Sequence, residues 1–183
     1  MSVADKIRYI VLHCTAGYGD VNSIVKYWRE ILLWSGYGYS IIVGLKGEIW
    51  YLSDDGYTLD ESKANFNIMT NGVRGWNDIS RHIAYIGGVN KDDYTIIEDS
   101  RTPEQVMGIQ IAIYKMLSWL TFEGRDITIN LAIKGHRDFS KDNNGNGIID
   151  TWERVKECPS FETNKEYGWI LSNNENQGKL PFK

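Results

Sequence analysis

The sequence contains no apolar run long enough to cross a lipid bilayer, and residues 1–6 are polar where a signal peptide would have its apolar core. We therefore expect no membrane insertion and no signal peptide, and a chain made in the cytoplasm. Excess positive charge is also absent. With 20 basic and 24 acidic residues, the net charge is -4, which argues against nucleic acid as a partner.

Cysteine and histidine are scarce: the sequence has two cysteines and three histidines. Two cysteines cannot form the disulfide framework of a small secreted domain. One disulfide between Cys14 and Cys158 remains an alternative, which an exported protein could tolerate. The remaining composition, 42% hydrophobic and 24% charged, is typical of a globular protein. A length of 183 residues predicts one domain, 1–183, without repeats.

Hydrophobic patterns typical of strands and of helices both occur along the chain. The predicted strands are residues 7–14, 39–43, 48–52, 83–87 and 127–133. The predicted helices are residues 20–34, 102–120 and a short one ending at 171. The long polar segment 53–82 is interpreted as one wall of a groove. The polar C-terminal tail, about 172–183, is expected to fray.

Residues 142–153 match the EF-hand calcium loop, D-x-[DN]-x-[DN]-G-x5-E. The predicted calcium ligands are Asp142, Asn144, Asn146, the carbonyl of Ile148, Asp150 and Glu153. Gly147 falls where the loop needs a sharp turn. EF-hands usually occur in pairs and the sequence has one such loop, so the pattern favours a structural calcium over a sensor. The alternative is a polar turn that binds no ion.

His136 precedes this loop and Cys158 follows it, so closure of the loop would bring the two side chains together. Imidazole nitrogen and thiolate sulfur are ligands that zinc prefers, and a catalytic zinc takes three protein ligands and one water. His13 is the better candidate for the third ligand because it lies near the end of the predicted buried strand 7–14. Taken singly, such residues are more often packing residues. Copper is an alternative, although no methionine lies near these motifs.

Cys14 follows His13 on the same predicted strand. Successive side chains on a strand point to opposite faces. We therefore expect Cys14 to point away from the ligands and to be buried packing.

Five motifs follow one another in a distinctive order: LHCTAG around His13, GYSIIVGLKGEIW at 38–50, IAYIGG at 83–88, GHRD at 135–138 and KECPSF at 156–161. In order and spacing they resemble the zinc-dependent N-acetylmuramoyl-L-alanine amidases of the phage-lysozyme type (amidase type 2), a family that includes the peptidoglycan recognition proteins. The resemblance covers about residues 7–171, with the calcium-type loop as an insertion. It implies a single α/β domain with a central mixed β-sheet flanked by helices.

The resemblance also implies a catalytic zinc on His13, His136 and Cys158. The implied reaction is hydrolysis of the amide bond between N-acetylmuramic acid and L-alanine in bacterial peptidoglycan or muropeptides. Zinc would acidify its water ligand and polarise the carbonyl. Lys156 is the residue expected to stabilise the oxyanion. Tyr39 is expected to position the water or to carry its proton.

Two departures from the family pattern concern the substrate groove. The family stretch H-A-x-G-[YW]-N corresponds to NGVRGWN at 71–77, which lacks the histidine. Arg81 and His82 replace small residues before the IAYIGG strand. Trp50, Tyr57 and Trp76 are candidates for stacking on sugars, with ordinary packing as the alternative for each.

A compact amidase of this kind is expected to be a monomer and a bacteriolytic phage endolysin that acts on the cell wall after release. A secreted antibacterial effector and a cytosolic recycling amidase are alternatives. The chief rival function is a non-catalytic, calcium-stabilised peptidoglycan-binding module on the same fold. A calcium-dependent scaffold with an accidental histidine and cysteine pair does not explain Tyr39 and Lys156.

Overall fold

One mixed β-sheet forms the centre of the molecule. The computed structural model describes residues 1–181. The strands are β1 (Tyr9–Cys14), β2 (Ile41–Val43), β3 (Ile49–Ser53), β4 (Gly56–Thr58), β5 (Ser80–Tyr85) and β6 (Ala132–Gly135). Within the described residues the strand order is β4-β3-β2-β5-β1-β6. β1 runs parallel to β5 and β6, β2 runs parallel to β5, and β3 is antiparallel to β2 and β4. The expected α/β fold with a mixed sheet is confirmed.

The helices flank this sheet. They are α1 (Val3–Lys6), α2 (Val21–Glu30), α3 (Pro103–Phe122) and α4 (Thr163–Tyr167). Short 3₁₀ helices lie at Glu61–Lys63, Asn77–Ile79, His136–Phe139, Thr151–Glu153 and Gly168–Leu171. All six residues of β1 and all six of β5 are buried, as expected for parallel strands covered on both faces. No helix among residues 1–181 is long and apolar enough to span a membrane.

Helix α3 covers one face of the sheet as its apolar pattern predicts. Thr102 and Gln105 form the expected capping box, with hydrogen bonds of 3.1 and 3.0 Å. Ile109, Ile113 and Met116 are buried against the sheet, whereas the predicted core residue Val106 is 36% exposed. The buried amide of Gln105 also donates to the carbonyl of Ile86 at 2.8 Å, which ties the helix start to the end of β5.

Several boundaries differ from the prediction. The predicted helix 20–34 ends at Glu30, and Leu33 has the left-handed φ of 55°, which an α-helix cannot contain. The segment 53–82 includes the short strand β4, which was not predicted. The last strand lies at 132–135 instead of 127–133, because Asp126 caps a turn by accepting from the backbone N–H of Thr128.

The C-terminal segment is packed where fraying was expected. Asn174, Asn176 and Gln177 are buried. The Gln177 side chain accepts from the N–H of Ile133 at 2.7 Å and donates to its carbonyl at 3.0 Å. The edge strand β6 is therefore covered, so the fraying prediction is wrong for this part of the tail. Residues 182–183 of the predicted tail lie outside the described residues.

Candidate metal centre

Two histidines meet at one edge of the sheet because β1 and β6 are parallel neighbours. His13 is the penultimate residue of β1 and is 2% exposed. His136 immediately follows β6. The carboxyl ends of neighbouring parallel strands lie at the same edge, and here the Nδ1 atoms of the two rings are 3.2 Å apart. The strand topology thus supplies two nitrogen donors that face each other.

Cys158 adds a sulfur donor to this pair. Its Sγ lies 3.6 Å from Nδ1 of His13. Backbone hydrogen bonds hold it there: its carbonyl accepts from the N–H of Arg137 at 2.8 Å, and its sulfur accepts from the N–H of Cys14 at 3.2 Å. The donor atoms of His13, His136 and Cys158 all lie within 4.8 Å of one another. The structure brings the three predicted ligands together in a group that could hold a metal ion, and two nitrogens with one sulfur suit zinc.

Burial sets the protonation of these donors in the metal-free protein. It lowers the pKa of His136 to about 4, and the positive charge of Lys156 acts in the same direction. Burial holds the pKa of His13 well below its usual range, and electrostatic repulsion from His136 and His82 lowers it further. Both rings are therefore neutral near pH 7, the form that binds metals. Burial raises the pKa of the Cys158 thiol, so metal binding there must release its proton.

Tyr39 and Lys156, the two predicted catalytic residues, border the same cleft. This cleft has a volume of about 200 Å³ and is also lined by Trp34, Asn71, Gly72, His136 and Cys158. The ring of Tyr39 lies 5.1 Å from that of His13, and its hydroxyl donates to the carbonyl of Cys14 at 3.5 Å. Burial, followed by repulsion from the thiolate forms of Cys158 and Cys14, raises the pKa of Tyr39 well above its usual range. Its hydroxyl therefore keeps its proton.

Ion pairs fix the chain on both sides of Cys158. The buried guanidinium of Arg137 contacts Glu162 at 2.8 Å and Glu157 at 3.4 Å. Arg154 contacts the same two carboxylates at 3.1 and 3.2 Å. This network joins the segment after His136 to the segment that carries Cys158. It restrains the sulfur of Cys158 relative to the ring of His136.

The predicted calcium loop, 142–153, is closed by its own hydrogen bonds. The buried carboxylate of Glu153 accepts from the N–H groups of Asn143, Asn144 and Asp150 at 2.7, 3.1 and 2.9 Å. Asp142 accepts from the N–H groups of Gly145 and Gly147, and the latter has the expected left-handed φ of 83°.

The other predicted calcium ligands lie in the same loop. The amides of Asn144 and Asn146 donate to Asp150 at 2.8 and 3.0 Å. Ile148 donates its N–H to Asn146, and its side chain is exposed. The loop is flanked by one-turn 3₁₀ helices, His136–Phe139 and Thr151–Glu153, where an EF-hand would have long helices. Calcium binding remains a prediction.

Cys14 does not lie apart from the site. It belongs to the buried core and both cysteines are free, so the expectation of buried packing is confirmed and the alternative disulfide is absent. However, a hydrogen bond with the thiol of Cys158 lowers the pKa of Cys14. Because Cys158 follows a separate loop and lies beyond the end of β1, strand alternation does not keep the two residues apart.

His82, the third histidine, was not predicted as a site residue. Its Nδ1 lies 3.0 Å from Nε2 of His13, and its Nε2 lies 3.2 Å from Oδ1 of Asn77. The only hint was a histidine in place of a small family residue. Of the aromatic candidates, Trp76 packs on Tyr9 and Phe139, and Tyr57 packs on Tyr37. None of the three lines the cleft.

The fold is that of peptidoglycan amidases and recognition proteins. The endolysin N-acetylmuramoyl-L-alanine amidase LysCS from Clostridium intestinale superposes with a TM-score of 0.59 at 18% identity, over 93% of this chain and 87% of that chain. Drosophila PGRP-LB superposes with a TM-score of 0.56 at 19% identity, over 93% of this chain and 85% of that chain. Peptidoglycan recognition protein LE, in complex with tracheal cytotoxin, a monomeric diaminopimelic acid-type peptidoglycan, superposes with a TM-score of 0.56 at 15% identity. This match covers 93% of this chain and 85% of that chain.

A sequence relative comes from Haemophilus influenzae (strain ATCC 51907 / DSM 11121 / KW20 / Rd), where it bears the name "uncharacterized protein". The two sequences are 32% identical over 100 residues, which cover 55% of this chain and 75% of the relative. The chain therefore belongs to the same family as the Haemophilus influenzae protein. No family model matches the sequence.

Proposed function

We propose that the protein is a zinc-dependent N-acetylmuramoyl-L-alanine amidase that cleaves the bond between N-acetylmuramic acid and L-alanine. The observation that carries the proposal is the convergence of His13, His136 and Cys158, whose donor atoms lie within 4.8 Å, beside an open cleft. A recognition module could use the same fold and cleft for binding alone. A complete three-donor set next to Tyr39 and Lys156 favours hydrolysis over recognition.

The residues of the cleft have separate roles in this proposal. Zinc, when bound by the three donors, supplies a Lewis acid and lowers the pKa of water. Tyr39 keeps a protonated hydroxyl that can orient the water or pass on a proton at Oη. The exposed Lys156 places a positive charge at the cleft rim, where it can stabilise the oxyanion that develops on the substrate carbonyl.

The proposal is tested by digesting purified peptidoglycan with protein that has been treated with a chelator and then given zinc, calcium or both. Mass analysis of the products should show free stem peptides with an L-alanine amino terminus, and only when zinc is present. No release with any metal, together with sedimentation of the protein with the wall, would instead establish a recognition module.

The two cysteines provide a matched pair of variants for the zinc site. Cys158→Ala should lose both zinc and peptide release. Cys14→Ala changes a buried cysteine beside the same cleft but removes no proposed ligand, so it should keep zinc. Equal zinc content in the two variants would contradict the assignment of Cys158.

A second proposed metal is a structural calcium in the loop 142–153. Supporting it, Asp142, Asp150 and Glu153 belong to one loop that is closed by hydrogen bonds to their carboxylates. Calcium prefers such oxygen ligands. Isothermal titration of the chelator-treated protein with calcium tests the proposal, and Asp142→Ala, which removes the first ligand, should abolish the heat of binding.

For the biological setting, we propose a monomer that is made in the cytoplasm and acts on the cell wall after release, as an endolysin or a secreted effector. Lysis of intact bacteria by added protein tests this setting. Activity on soluble muropeptides alone would favour a recycling amidase instead.

A further inference from the structure

His82 is a buried histidine beside the proposed zinc site that the mechanism above does not use. We propose that it is a positioning residue, which fixes the tautomer and orientation of the ligand His13 through a hydrogen-bonded chain that ends at Asn77. The inference rests on the proposed zinc site and adds a residue to it. Such outer partners of ligand histidines orient the ring and set its basicity.

The chain of hydrogen bonds runs away from the metal side of His13. Its Nδ1 faces His136 and Cys158, while its Nε2 contacts Nδ1 of His82 at 3.0 Å. The other nitrogen of His82, Nε2, contacts Oδ1 of Asn77 at 3.2 Å. His82 is wholly buried. Nε2 of His13 and both ring nitrogens of His82 therefore have a defined partner within the chain of hydrogen bonds.

The direction of these hydrogen bonds follows from Asn77. Its Oδ1 also accepts from the backbone N–H of Val73 at 2.8 Å, so this atom is the amide oxygen and can only accept. Nε2 of His82 must therefore be the donor. A neutral imidazole has one donor nitrogen and one acceptor nitrogen, so Nδ1 of His82 accepts from Nε2 of His13. That leaves a lone pair on Nδ1 of His13, directed at His136 and Cys158.

The protein makes room for His82 at one glycine. A Cβ added to Gly72 would lie 2.3 Å from Cγ and Nδ1 of the His82 ring, which is too close for any side chain. The absence of a side chain at Gly72 thus leaves space for the His82 ring that contacts His13.

A buried histidine that only fills space is the alternative. Packing alone needs the volume of the ring, whereas the proposed role needs an acceptor at Nδ1. The two roles can be separated with His82→Asn and His82→Leu. These side chains have nearly the same size and shape and leave a similar gap, but only asparagine offers an oxygen where Nδ1 was.

The experiment is competition for zinc between each variant and a chromogenic chelator, with the melting temperature of the zinc-free protein recorded in parallel. His82→Leu should bind zinc about 10- to 100-fold more weakly than His82→Asn, the usual effect of losing an outer partner. Asparagine should stay close to the unaltered protein. Equal zinc affinity in the two variants would show that His82 only packs and would overturn the proposal.

A second measurement needs neither variants nor metal. Nitrogen-15 NMR of the zinc-free protein with labelled histidine reports which ring nitrogen carries the proton. We expect His13 and His82 both to be protonated at Nε2. A proton on Nδ1 of His13 would refute the chain. If instead the unaltered protein failed to bind zinc while NMR gave the expected tautomers, the amidase proposal would fall and the hydrogen-bonded chain would stand.

Discussion

At the residue scale, the candidate site combines buried neutral donors with one exposed positive charge, that of Lys156. Burial keeps the pKa of His13 and His136 low, and Lys156 lowers both further. Lys156 is itself exposed at the rim of the cleft and is not a donor to a metal. Its charge is therefore free to act on a substrate, and its removal should affect chemistry more than metal binding.

The first prediction concerns Lys156→Ala. Loss of a group that stabilises an oxyanion typically lowers kcat by about 100- to 1,000-fold, and we expect a fall of this order with zinc content unchanged. Steady-state cleavage of a muropeptide and elemental analysis of the protein measure the two quantities. Lys141→Ala, which removes an exposed lysine just before the loop 142–153, is the control and should keep full activity. Loss of zinc in Lys156→Ala would point to a structural role.

At the element scale, the loop 142–153 links the two sides of the candidate site. His136 leads into it and Cys158 follows it, and the N–H of Val155 donates to Ser140 at 3.0 Å across its base. Glu153 holds the loop together by accepting three backbone N–H groups. An ordered loop therefore restrains the position of the Cys158 sulfur, so we expect the loop to be coupled to the proposed metal centre.

The second prediction concerns Glu153→Gln. Glutamine has one acceptor oxygen, and its NH₂ would face N–H donors, so we expect a loss of about 1–3 kcal/mol in unfolding free energy. The melting temperature and the zinc affinity should fall together, because the loop orders the segment that bears Cys158. Glu123→Gln, at an exposed helix end, is the control. Unchanged zinc affinity in Glu153→Gln would refute the coupling.

Sequence patterns predicted the elements with strong local signals and missed those that depend on distant contacts. Capping at Thr102 and the hairpin β2–β3 follow from neighbouring residues, and both were predicted. The burial of Gln177 depends on the backbone of Ile133, 44 residues away. The contact of His82 with His13 likewise depends on the parallel pairing of β1 with β5. Such contacts leave no periodicity in the sequence.

At the scale of the whole molecule, the buried histidines link stability to pH. Folding lowers the pKa of His82 to about 3 and of His136 to about 4, mainly because both rings are buried. His13 is shifted in the same direction. Unfolded chains would bind protons at these residues near the usual pKa of about 6.5. Below that pH, the unfolded state of the zinc-free protein binds more protons than the folded state, so acid favours unfolding.

The third prediction is that the zinc-free protein loses stability as the pH falls from about 6.5 towards 4, with no such loss between about 7 and 8. Each histidine that stays neutral in the fold contributes at most about 1.4 kcal/mol per pH unit in this window. Urea unfolding in the presence of a chelator, at a series of pH values, measures the slope. His82→Asn removes one of the three groups and should flatten the slope, whereas the exposed substitution Lys141→Ala should not. A stability that stays level from about pH 7 to about 5 would mean that these histidines take up protons in the folded protein as readily as in the unfolded chain, and would contradict the lowered pKa values of the buried rings.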